Sequence, residues 1–454
     1  MAVAALSPSC TSADPPAPAA SGSAPPSTSA PLADSPPPLT SHPTTAGPIA
    51  LGNLNGQIRT LESAHSKRDL TGQKRRLLIE LLSLRAEMSG RLEDLERAAD
   101  LAESLSDLPS AQAGSPSASA TQAKPPSPPG RAPSSGSPPV SPTASAPGRA
   151  PSSGSLPVSP VTAGFEDLLT RASMRAALHR FDESSTDLLE AEKRGAPPAR
   201  TRKIRISIFE ARGQLEQALS LAVESRTSRP GIDTWGVEAV LLGELDRRPD
   251  ALAAFRSALA SFRDTSPFPV AWLFFRQAQL WEREARPDLA IAYHEAALAR
   301  VPTYAHAAAH LARLLPPARA ESLLLPLLET SDDPDLESVL AQKLKEKGDH
   351  DSAKPHIAKA AARYDTLVAR HPEAFADHAA QFWLDLGGDP KKALDLARLN
   401  LKVRKTPDAY KLAILAALEA GDRPTACALG TESLSLPHLS GILREIAKSS
   451  CAPQ

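Results

Sequence analysis

The sequence predicts an all-α solenoid, a row of short antiparallel helix pairs stacked along one continuous core, and three observations carry that prediction. The first is the stretch AWLFFRQAQLWEREARPDLAIAYHEAALARVP, residues 271–302. Phe274, Ala278 and Trp281 stand at i, i+4 and i+7, so they share one face of a helix, and Ala290, His294 and Ala297 do the same on a second. The second observation is recurrence. The residue opening each second helix, read with those at +4 and +7, gives Ser184/Leu188/Ala191, Ala218/Ala222/Ser225, Ala251/Phe255/Ala258 and Ala290/His294/Ala297, then Ala320/Leu324/Leu327, Ala353/Ile357/Ala360, Ala393/Ala397/Asn400 and Ala426/Gly430/Ser433. Successive openings are 34, 33, 39, 30, 33, 40 and 33 residues apart. The third is punctuation: Gly213-Gln214, Arg248-Pro249-Asp250, Arg286-Pro287-Asp288, Gly348-Asp349, Gly388-Asp389-Pro390 and Gly421-Asp422 precede those openings as turn signals.

Taken in order, the chain begins with residues 1–50, which hold no lysine or arginine and too few large apolar side chains to offset the entropy of ordering, so this tail is expected to be disordered. Its short apolar start and single Cys10 before a Ser/Pro-rich tether resemble the end of a bacterial lipoprotein signal, although Ser7-Pro8-Ser9 departs from the usual pattern; the alternatives are an envelope-anchored form and an incidental cysteine in a cytoplasmic protein. Residues 51–108 turn charged and leucine-rich. A helix from about Asn53 to His65 is expected there, followed by a degenerate pair over 70–105 that Gly90 breaks, with Leu70, Leu77, Leu81 and Leu82 on one face of its first helix and Leu95, Ala99 and Ala102 on one face of its second. Residues 109–163 are low-complexity again, and GRAPSSGSPPVSP at 130–142 recurs as GRAPSSGSLPVSP at 148–160. Such a stretch reads as an extended linker. Because a single pair cannot bury its own apolar face, 51–108 is expected to dock on the N-terminal end of the solenoid against the helix at Phe165.

Residues 164–454 hold about eight units. Two intervals are long, and the expected reasons differ: Ser266 to Pro269 are read as loop, whereas Arg363 to Val368 contain no breaker and should lengthen a helix by about two turns.

The spacing of Phe274, Ala278, Trp281, Ala290, Ala297 and Pro302 resembles the tetratricopeptide repeat, a 34-residue helix-turn-helix unit, of bacterial type; His294 stands where that family usually has an aromatic. The resemblance implies a right-handed superhelix whose first helices line a concave groove for peptides or partner proteins. Carried over by position, it places Trp272, Phe275, Gln279, Glu282 and Arg283 on the groove, with Asp233 and Val240 on one side and Gln342 and Lys345 on the other. The competing reading packs Trp272 and Phe275 against the preceding repeat.

Candidates for chemistry are few. His306 and His310 have the i, i+4 spacing of a metal pair but no glutamate between them and no third ligand nearby in sequence, and they fall off the packing face at a helix edge. His294-Glu295 lacks a second histidine four residues on. No glycine-rich phosphate loop, nucleophile elbow or Cys-x-x-Cys pair occurs, so no cofactor or metal is expected. Cys427 and Cys451 pair if the compartment is oxidising, or else Cys427 is a buried thiol. The run Arg200, Arg202, Lys203, Arg205 reads as a solvated face. With a net charge of −1 the chain offers no strongly basic surface for nucleic acid, and no run of 18 apolar residues offers a membrane span. The expected function is a non-catalytic protein-interaction scaffold; the alternative is a regulatory subunit or an enzyme with an unrecognised site.

Overall fold

The computed structural model describes residues 35–66, 71–107, 164–437 and 441–452. Cys10 with its tail, Leu70 and the duplicated proline-rich stretch lie outside them. Twenty α-helices follow one another, and no strand occurs among the described residues. The first is α1 (Gly47–Ser66), then the pair α2 (Gly72–Ser89) and α3 (Leu92–Glu103). Eight further pairs come after: α4 (Phe165–Ala177) with α5 (Phe181–Lys193), α6 (Pro198–Ala211) with α7 (Leu215–Ser228), α8 (Ile232–Glu244) with α9 (Arg248–Ser261) and α10 (Pro267–Arg283) with α11 (Pro287–Arg300). The row continues with α12 (Ala305–Leu314) and α13 (Pro317–Leu324), α14 (Pro334–Glu346) and α15 (His350–Arg370), α16 (Pro372–Asp385) and α17 (Pro390–Val403), α18 (Pro407–Glu419) and α19 (Arg423–Ser433). A single helix, α20 (Gly441–Ser449), ends it.

The small residues that open the second helices explain the close pairing. Ser184, Ala218, Ala251, Ala290, Ala320, Ala353, Ala393 and Ala426 are all at most 1% exposed, because a side chain of one or two heavy atoms lets the partner helix approach without a gap. The turns work by a division of labour. At Gly348, Gly388 and Gly421 the backbone takes a left-handed φ of 85°, 67° and 74°, which stops the first helix. The following Asp349, Asp389 and Asp422 then accept hydrogen bonds from the amides of Ser352, Lys392 and Thr425 and so cap the second helix.

Two boundaries differ from the expected ones. The loop before α10 spans only 262–266, and Pro267 to Pro269 lie in the first turn of the helix; the amides of that turn have no intrahelical partner, so proline costs nothing there. α1 begins at Gly47, and the segment before it is held to the solenoid: Thr45 donates its amide to Thr265 O at 2.7 Å and Arg300 donates to His42 O at 2.6 Å. Of the two readings of Cys427, the disulfide holds: the residue is half-buried and bonded to Cys451. Gly430 allows this, since a Cβ there would stand 2.7 Å from Ala447 O of α20. α15, by contrast, runs 21 residues without a break through Arg363 to Val368.

The solenoid also returns on itself. The α2–α3 turn meets the α13–α14 loop, where Ser331 donates its hydroxyl to Gly90 O at 2.7 Å. The α4–α5 turn meets the α15–α16 junction, where His179 Nδ1 donates to Glu373 O in the first turn of α16 at 3.0 Å, and the α6–α7 turn meets the α17–α18 loop, with Gly213 against Thr406. Each turn thus touches the junction that closes the fifth pair further on. The α2–α3 pair takes part in this series and also stacks on α4, with Leu78, Ile79 and Leu82 buried and Arg175 paired to Glu103 at 2.8 Å. On its other side Glu96 receives Arg363 and Arg370 of α15.

Candidate functional site

α10 crosses the middle of the array and is covered on nearly every face, which decides the fate of the residues placed on the groove. Phe275 is 1% exposed. Its ring lies 5.2 Å from that of Tyr304, 5.4 Å from His310 and 5.8 Å from His294, so it packs into the following pair. The expectation of an exposed Trp272–Phe275 patch is therefore corrected: α12 closes over Phe275, and Trp272 is half-buried against Gly236 of α8, whose missing side chain leaves the space its indole fills. Gln279 is buried as well. Arg283 pairs with Glu244 at 2.8 Å, Val240 is buried, and Asp233 is half-buried. Gln342 and Lys345, on α14, are exposed.

Polar side chains do converge inside the array, at a place no local motif marks. Glu282 of α10 accepts from His294 Nε2 of α11 at 2.7 Å and from His310 Nδ1 of α12 at 2.9 Å. The three side chains are 2%, 0% and 4% exposed. Burial pushes the Glu282 carboxyl up, but the two imidazoles outweigh it and hold the group well below the usual carboxylate range. Burial lowers the His294 imidazole against the pull of Glu282, so the ring is neutral at neutral pH. Of the atoms that can bind a metal, Glu282 O, His294 N and His310 N all lie within 4.8 Å of one another, the one such group among the described residues.

His310 is therefore no helix-edge residue, because α12 is packed from both sides, by α11 and by α14. His306, its i−4 neighbour, stands near Phe275 and Tyr304 and is outside the group; burial pushes its imidazole down to about 4. The missed partners are 12 and 28 residues from Glu282 in sequence. The signal available was indirect: histidine where the repeat pattern expects an aromatic, and a carboxylate one helical turn beyond a buried glutamine.

Nearby, Arg276, 4% exposed, reaches Glu210 of α6 at 3.0 Å, and burial pushes the Glu210 carboxyl up. Burial lifts the carboxyl of Glu87, on α2, to about 7, outweighing the Arg276 charge that this group also feels. The basic run of α6 is tied down in turn: Arg202 pairs with Glu224 at 3.2 Å and Arg205 with Glu192 at 2.8 Å. Two cavities lie outside these clusters. One, of about 320 Å³, lies between α1, α2, the 264–266 loop and the first turn of α10. The other, of about 350 Å³, lies between α3, the α4–α5 turn and the start of α16, where Arg180 pairs with Glu103 and Arg370 with Glu96.

No family model matches the chain, and no curated protein matches it in sequence. Solved structures do. A thermophilic TPR protein of Thermus thermophilus is 19% identical, covering 40% of this chain and 98% of its own, with a TM-score of 0.33. A tetratricopeptide repeat protein of Parabacteroides merdae is 13% identical over 63% of this chain and 99% of its own, with a TM-score of 0.30. Human IFIT1, solved as a dimer with m7Gppp-AAAA, is 14% identical over 87% of this chain and 84% of its own, with a TM-score of 0.41.

Proposed function

We propose that this tetratricopeptide-type solenoid is a non-catalytic scaffold that holds a protein or peptide partner along its first-helix face from α14 onward. The observation that carries the reading is the division of that face: α10 is sealed inside the array, whereas α14 leaves Gln342 and Lys345 in solvent. Binding a peptide needs shape and a few polar anchors; catalysis needs an acid, base or nucleophile set opening on a cleft. In the larger cavity the arginines are held in ion pairs, which favours a structural role for them. The balance of 51 basic against 52 acidic residues favours a protein partner over a polyanion.

The test is photo-crosslinking from the full chain, with the crosslinker placed at Gln342, at Lys345 and, on the outer surface, at the exposed Arg256. The same protein captured from 342 and 345 but not from 256, and unaffected by nuclease, is the expected result. Recovery of RNA from the α14 positions, or equal capture from all three, would overturn it.

A further inference from the structure

We propose that Glu282, His294 and His310 form a binding site for one divalent transition cation of the zinc class. The argument starts from what three stacked helices ordinarily bury. At the junction of α10, α11 and α12 the surroundings are Phe275, Tyr304 and alanines, and a polar group there must be satisfied or it costs stability. Instead of one polar group there are three, each from a different helix, with their donor atoms gathered within 4.8 Å.

Two imidazole nitrogens and a carboxylate oxygen suit zinc, cobalt or nickel and suit calcium or magnesium poorly. The geometry is close to that of a filled site. Donors around a tetrahedral ion with bonds of about 2.0–2.1 Å stand about 3.3 Å apart. Here Glu282 lies 2.7 Å from His294 Nε2 and 2.9 Å from His310 Nδ1, so these two contacts would open by about half an ångström, and the two imidazole nitrogens, within 4.8 Å of each other, would adjust to the same spacing. The carboxylate supplies the negative charge a dication requires, and three protein ligands leave one position for water. His294 already offers a second nitrogen, Nδ1, with no protein partner, so the ring can change tautomer to turn a lone pair toward the ion without breaking another hydrogen bond. The ion would pin three successive helices at the centre of the array, adding to the packing, to these two hydrogen bonds and to the one that Gln277 of α10 donates to the Tyr293 hydroxyl of α11 at 2.9 Å.

The experiment uses the full chain, stripped with chelator and titrated with Zn²⁺ and with Co²⁺. One equivalent per chain is expected, with visible absorption from the bound Co²⁺ and a thermal midpoint that rises with Zn²⁺ and falls again on chelation. His294→Phe restores the aromatic usual at that position of the repeat and so retains the fold, checked by circular dichroism, while abolishing the Co²⁺ absorption; His310→Ala does the same. Glu282→Gln weakens binding at least about ten-fold by removing the charged ligand. His306→Ala, outside the group, binds as the parent does. A stripped chain that takes up no Co²⁺, or a folded His294→Phe chain that binds it as well as the parent, would overturn the proposal and leave a hydrogen-bonded triad alone.

Discussion

Ala285 shows how a repeated backbone shape is imposed on whatever residue stands at the turn. The left-handed position that ends a first helix is glycine at 90, 213, 348, 388 and 421, but His179, Asp246 and Ala285 adopt it too, with φ of 58°, 60° and 52°. Alanine has no side-chain hydrogen bond to offset the clash of its Cβ with the backbone, and the left-handed form costs such a residue about 1–2 kcal/mol. Ala285 is exposed, so a substitution there disturbs no packing. Ala285→Gly should therefore stabilise the chain by about 1 kcal/mol once the greater entropy of unfolded glycine is counted. Urea denaturation checks this; a loss of stability would show that the turn carries no strain.

At the scale of elements, the pair α2–α3 behaves as one more repeat even though 57 residues separate Asp107 from Phe165. Loop closure grows only with the logarithm of length, by about 0.6 kcal/mol for each doubling, so a long connection weakens docking little. What docking gains is larger. Met174 and Leu178 of the first downstream pair, 3% and 2% exposed, join the same apolar cluster as Leu78, Leu82, Ala98 and Leu105, and burying one such side chain is worth about 1.5–3 kcal/mol. Removing residues 35–107 should lower the thermal midpoint by at least about 5 °C. An unchanged midpoint would mean that this pair contributes nothing to the stability of the rest.

The molecule as a whole is held by contacts between successive turns of the solenoid, and these do not follow from stacking neighbours alone. His179 is the clearest case: it is 6% exposed, its Nδ1 donates to Glu373 O, and burial pushes its imidazole down to about 4, with Arg404 adding to the effect while Asp377 opposes it. The unfolded chain takes up this proton near pH 6.5 and the folded chain near 4, so between those values the unfolded state binds one proton more and stability falls as pH falls. His179→Asn keeps a donor and tolerates the left-handed backbone, and it should remove a slope of up to about 1.4 kcal/mol per pH unit across that window. Stability measured at pH 7, 6, 5 and 4 in both chains checks the difference. Equal slopes would show that His179 is protonated in the folded state.

The periodicity of apolar residues was enough to determine the pairs, their small contact residues, their turns and the lengthened α15, because each of these depends on side chains within a few turns of one another. The family resemblance, carried over by position, put Gln342 and Lys345 on a groove-lining helix, and both are exposed. Periodicity did not determine which first helices remain open. Phe275 was legible as a large residue on a first helix, but only the arrival of α12 made it core, and Pro267 to Pro269 read as a breaker until the unsatisfied first turn of α10 received them. Glu282, His294 and His310 meet because three helices cross at one point, and spacings of 12 and 28 residues have no meaning before that crossing exists. Sequence decided what repeats; tertiary structure decided what the repeats enclose, since pattern along a chain records neighbours on one helix face, and only packing brings the faces of different helices together.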